Sequence, residues 1–135
     1  MTEQLSPLAL QALAVVKESG AIIGANHAHP HTIRHKGRID LVTETDIAVE
    51  AFLKERLATL APQAGFLAEE SAEDLSLPDT CWIIDPVDGT TNFAHGLPLT
   101  VTSVAYRLNG EIVLGIVNAP LLRECFIAEK GKGAW

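Results

Sequence analysis

The residues best able to do chemistry lie in one run, Asp85-Pro86-Val87-Asp88-Gly89-Thr90-Thr91. Cys81-Trp82-Ile83-Ile84 before it is apolar enough for a sheet strand, and that strand would deliver Asp85 at its end. Pro86 fixes its own φ and holds Asp85 extended. Such a turn can point the Asp85 and Asp88 carboxylates to one side, with the Val87 carbonyl between them. Two carboxylates plus a carbonyl suit a hard cation such as Mg²⁺. Gly89 allows a positive φ or a close backbone approach. Gly89, Thr90 and Thr91 would then open a short helical segment whose free N–H groups favour a phosphate. The Thr90 hydroxyl could orient an attacking water. Cation ligands and phosphate donors in one loop point to a phosphate ester. The plain alternative is an Asp-rich turn, since Asp-Pro and Asp-Gly are common turn dipeptides.

Other acids add weight. Glu69 and Glu70 end an apolar strand, and a cation would relieve their repulsion. Glu69 is the expected ligand, because Glu70 alternates to the other face. Asp46, taken by itself, reads as a cap or a first-turn acid of a helix. His27, His29, His31 and His35 match no defined zinc spacing and read as solvated loop residues. His95 reads as a helix C-terminal histidine, and Trp82 and Phe93 as core.

The elements that must position these residues follow from periodicity. Residues 5–24 predict an amphipathic helix with Ser6 as cap and Pro7 in its first turn. Asn26 to Gly37 predicts a loop. Thr43 to Leu60 predicts a second helix, supported by a Glu50–Lys54 pair and ended by Pro62. Gly65 to Ala68 predicts a strand, Cys81 to Ile84 another that stops at Asp85-Pro86, and Thr91 to His95 a short helix closed by Gly96. Thr100 to Arg107, an Asn109-Gly110 hairpin turn, Glu111 to Ala119 and Glu124 to Glu129 predict an antiparallel meander.

The 135 residues fit one domain, and 47% hydrophobic with 20% charged residues is a globular composition. A net charge of −7 argues against a nucleic-acid surface. No run of about 18 apolar residues predicts a membrane span. Cys81 and Cys125 are too few for a disulfide framework, and free thiols in a cytoplasmic protein are expected.

Trp82 to Phe93, followed by Gly96 and Pro98, resembles the signature of inositol monophosphatases. Asp40 to Asp46 is similar to that family's D-L-V-T-x-x-D segment, Phe66 to Ser71 to its F-x-x-E-E-S segment, and Gly131 to Trp135 to its G-x-G-A-aromatic turn. The resemblance implies an α+β fold, two N-terminal helices packed on an antiparallel β-sheet, forming the N-terminal half of a layered αβαβα sugar-phosphatase fold. Residues 1–135 would be the metal- and phosphate-binding half, because the chain stops at Trp135 before the family's W-D motif. Glu69, Asp85 and the Val87 carbonyl would hold one Mg²⁺, and Asp85 with Asp88 would contribute to a second. Asp88, Gly89 and Thr90 would bind the substrate phosphate, and Thr90 with Asp46 would activate the water, which reverses the capping role read for Asp46. The implied reaction is Mg²⁺-dependent, Li⁺-sensitive hydrolysis of a small polyol phosphate, foremost myo-inositol monophosphate, by a full-length homodimer. Alternatives are a catalytically incomplete Mg²⁺-binding module and a relative acting on fructose-bisphosphate or a bisphosphate nucleotide.

Overall fold

In the computed structural model of the chain, residues 4–28, 37–68 and 78–135 are described. Two long helices, α1 (Pro7–Ala28) and α2 (Gly37–Leu60), cover one face of a six-stranded sheet. The strands are β1 (Gly65–Ala68), β2 (Cys81–Asp88), β3 (Val101–Leu108), β4 (Glu111–Ala119), β5 (Glu124–Glu129) and β6 (Gly133–Ala134), in that spatial order. A short helix, α3 (Thr90–Ala94), links β2 to β3. The class is α+β as expected. The sheet is mixed rather than antiparallel throughout: β1 pairs with β2 in parallel, and every later pairing is antiparallel. The parallel pair follows from the long excursion between residues 68 and 81, which has room for a crossover that a tight turn lacks.

Ser6 caps α1 as its sequence predicts. Its hydroxyl accepts the Ala9 N–H (3.2 Å) and donates to Glu129 (2.5 Å), which ties the helix start to β5. The apolar stripe Ala9, Ala12, Val16 and Ile23 is fully buried. Among the described residues α1 is long and apolar enough to cross a membrane by length and composition alone, a test that a core helix also passes. In this fold the stripe packs against the sheet. The helix also runs four residues beyond the expected end, through Asn26 and His27, which were expected in a loop. Tertiary contacts hold that last turn: Asn26 Nδ2 donates to Thr45 Oγ1 (2.7 Å), and His27 Nε2 lies 3.0 Å from the Gly96 carbonyl. α2 likewise begins at Gly37 rather than Thr43. The buried face of α2, formed by Val42, Thr45, Asp46, Val49, Leu53 and Leu57, reaches back one residue before the expected start.

Trp82, Ile84, Val104, Tyr106, Leu114, Ile116 and Ile127 form the sheet's side of the same core. Trp82 and Tyr106 are cross-strand partners with ring centroids 4.4 Å apart. The opposite face of the sheet is open. Phe126 and Val117 there are 54% and 37% exposed, beside an apolar groove of about 440 Å³ that ends at Trp135.

Candidate active site

The expected end of the second strand at Asp85-Pro86 is not observed: β2 continues through both residues to Asp88. The reason is a β-bulge. Asp85 pairs with Ser103 and Asp88 with Val101, so Pro86 and Val87 together stand opposite Thr102. Proline can occupy that position because the ladder is already interrupted and its missing N–H costs nothing. The Thr102 hydroxyl, fully buried, donates to the Pro86 carbonyl at 2.8 Å.

The bulge decides where the carboxylates point. In a regular strand, residues three apart lie on opposite faces. Ser103 and Val101 are two apart on β3 and share a face, so their partners Asp85 and Asp88 share it too. One extra residue thus brings both acids to the open face at the end of β2. Oδ1 of Asp85 is buried, Val87 is buried and Asp88 is exposed. The set is all oxygen and graded from interior to solvent, which suits a hard cation with some remaining water ligands.

Gly89 caps α3 in the left-handed conformation at φ 93°. A Cβ there would lie 2.7 Å from the Leu99 carbonyl, so glycine is required on two counts. Asn92 fastens the same corner, donating to Leu99 O at 3.0 Å. Thr90 and Thr91 occupy the first turn of α3 and, with Val42, Thr43 and Ala94, line a cavity of about 220 Å³ between α2 and α3. Asp46 lies three residues after Thr43 on α2, on the same helix face. It is 5% exposed. Because α2 starts at Gly37, Asp46 sits well inside the helix, and its reading as a cap or first-turn acid fails. A buried acid in a helix interior carries a desolvation cost that a structural cap would not require.

Glu69, the expected metal ligand, lies outside the described residues, as do Glu70, His29, His31 and His35. Among the described residues, no group of three His, Cys, Asp or Glu side chains converges for a metal. The partial set of Asp85, Val87 carbonyl and Asp88 fits a cation that draws a further ligand from beyond these residues. Phe93 is core, as expected, and His95 is the C-cap of α3. Sequence reasoning missed Thr102 as the bulge's fastening. It missed Thr100 too, whose buried hydroxyl has no hydrogen-bond partner among the described residues and which lies beside Gly89. The available signal was Thr100 and Thr102, two apart and in phase with Val104 and Tyr106, the buried positions of β3.

A model of the inositol monophosphatase family matches residues 4–135. The chain belongs to that family. It is 45% identical over 128 residues to an inositol monophosphatase of Dictyostelium discoideum, covering 92% of this chain and 47% of that one. A Thermotoga maritima fructose-1,6-bisphosphatase/inositol-1-monophosphatase is 44% identical over 96 residues, 71% of this chain and 37% of the relative. The solved inositol monophosphatase II of Staphylococcus aureus superposes with a TM-score of 0.83 at 27% identity, over 96% of this chain and 48% of that chain. The chain therefore spans about half the length of the relatives it matches.

Proposed function

We propose that this chain forms the metal- and phosphate-binding half of a phosphomonoesterase that hydrolyses the phosphate of a small polyol, foremost myo-inositol monophosphate, giving inositol and phosphate. The observation that carries the reading is the β2 bulge, which sets Asp85 and Asp88 on one face beside the Gly89–Thr90 corner. In this reading Glu69, Asp85 and the Val87 carbonyl hold one Mg²⁺, and Asp85 and Asp88 contribute to a second. When bound, the cations lower the pKa of a water and neutralise the leaving oxygen. The chain's own residues do the rest. Asp88 and the backbone at Gly89 and Thr90 hold the phosphate. The Thr90 hydroxyl, oriented with Asp46, directs the water for in-line attack and passes its proton toward the carboxylate.

The apolar open face, with Phe126 half exposed, supports a second half packing there to complete the layered fold. The full protein is then a Li⁺-sensitive cytoplasmic homodimer, its polyol contacts supplied largely by that second half. The double activity named for the Thermotoga relative favours a second reading, in which fructose-bisphosphate is also a substrate.

The test is Asp85→Asn in the full-length enzyme. Mg²⁺-dependent release of phosphate from inositol monophosphate should fall by orders of magnitude, and unchanged turnover refutes the assignment. Parallel assays with fructose-1,6-bisphosphate separate the two substrate readings. Robust Mg²⁺ binding with no turnover of any phosphomonoester would favour a binding module instead.

A further inference from the structure

A second cavity, of about 500 Å³, lies on the helix-covered side of the sheet between α1 and the β4–β5 turn. It shares no lining residue with the cavity between α2 and α3. We propose that it is a second anion site, taking inorganic phosphate or the phosphoryl group of a small phosphate ester.

Charge is the first argument. In a chain of net charge −7, Lys17 and Arg123 both line this one cavity. Lys54, Arg56 and Lys130 are held by Glu50, Glu18 and Glu111. Among the described residues no such ion pair engages Lys17 or Arg123. Glu124, next to Arg123, does not cancel them, because strand alternation sends it to the open face while Cys125 faces α1.

The second argument is Asn118. It lines the cavity at 5% exposure, and none of the hydrogen bonds among the described residues uses its side-chain amide. A ligand oxygen in the cavity would accept from its NH₂ while the two cations balance the charge. Gly20 makes room for this amide: a Cβ there would come within 2.9 Å of Asn118 Nδ2 and of Pro120 Cβ. Arg123 itself is held at φ 56° by turn bonds from Leu122 N to Ala119 O (3.1 Å) and from its own N–H to Pro120 O (3.3 Å). Those bonds fix the turn backbone from which the Arg123 side chain lines the cavity.

Cys125 lines the same cavity, half-buried, while Cys81 is fully buried elsewhere, so alkylation of Cys125 reports occupancy. The experiment uses the full chain in a Thr90→Ala background, which weakens the candidate catalytic phosphate site and needs no turnover. Inorganic phosphate and glycerol 3-phosphate are titrated separately at constant ionic strength, against chloride. Cys125 labelling by N-ethylmaleimide is followed by mass spectrometry, and backbone amide shifts by NMR. Saturable slowing of labelling, with shifts at Asn118 and Arg123, is the expected result, and the tighter of the two probes identifies the occupant. In Lys17→Gln/Arg123→Gln, the half-saturating concentration should rise at least roughly tenfold, as expected for losing two charge-assisted contacts. The comparison is of labelling with and without probe within each variant, so a changed thiol reactivity does not enter. Equal protection by chloride, undiminished protection in the double variant, or shifts confined to Gly89–Thr91 would overturn the proposal. Both substituted side chains are exposed, and a melting curve matching the parent's excludes misfolding.

Discussion

Replacing Gly89 with alanine should be far more damaging than replacing Gly96, although both glycines lie within one short corner at similar positive φ, 93° and 74°. An alanine held in the left-handed region costs about 1–2 kcal/mol at either place. Both variants also stiffen the unfolded chain by about 0.4–1 kcal/mol, a term that cancels in the comparison. The surroundings differ. A Cβ at Gly96 meets nothing within 4 Å, whereas at Gly89 it lies 2.7 Å from the Leu99 carbonyl, a backbone atom fixed by the start of β3. Relieving that overlap by backbone shift should add about 1–3 kcal/mol, the usual cost of overpacking. With a urea slope of about 2 kcal/mol/M, the Gly89→Ala midpoint should fall about 0.5–1.5 M below that of Gly96→Ala. Urea unfolding followed by circular dichroism makes the measurement. Equal midpoints would mean that the Leu99 carbonyl yields freely, and the corner would then not be the rigid phosphate cradle proposed for it.

Thr102→Val should leave the Pro86 carbonyl buried and unbonded, lowering stability by about 1–3 kcal/mol in thermal or urea unfolding. It should also weaken Mg²⁺ binding by calorimetry, since the bulge aims both carboxylates. Leu53→Ala, at a fully buried position of α2, should cost about 2–5 kcal/mol, read from the same unfolding curves. Burial raises the thiols of Cys81 and Cys125 above their ordinary 9.0, with Lys17 partly opposing this at Cys125, and raises the Tyr106 hydroxyl above 10.0. Each group loses its proton more readily unfolded than folded, so stability is fully present below about pH 9 and falls as pH rises through the folded values. Unfolding free energies from pH 8 to 11 should decline, and Cys125→Ala should make the decline shallower.

What the sequence discloses is what depends on near neighbours. The Ser6-Pro7 start of α1 and the Asn109-Gly110 turn, at φ 53° and 85°, are local chemistry and stand where predicted. The ends of the helices are not local. Asn26 stays helical because Thr45 accepts from it nineteen residues away, and α2 begins six residues before its expected start at Thr43. That early start removes the capping reading of Asp46, so a catalytic role for this acid rests on the family resemblance. The run from Asp85 to Gly89 shows the same division more sharply. The residue types Asp, Pro, Asp and Gly announce their chemistry, because carboxylate donation and left-handed backbone are intrinsic to them. Their spacing does not, since Asp85 and Asp88 on a regular strand would face opposite ways and could not share a ligand. A bulge reverses that, and its fastening is the hydroxyl of Thr102 on another strand. Its local trace is Pro86, a residue unable to donate to the ladder in the middle of an otherwise apolar strand. The proline that reads as the end of β2 is thus the mark of the bulge through which β2 continues and carries both acids to one face.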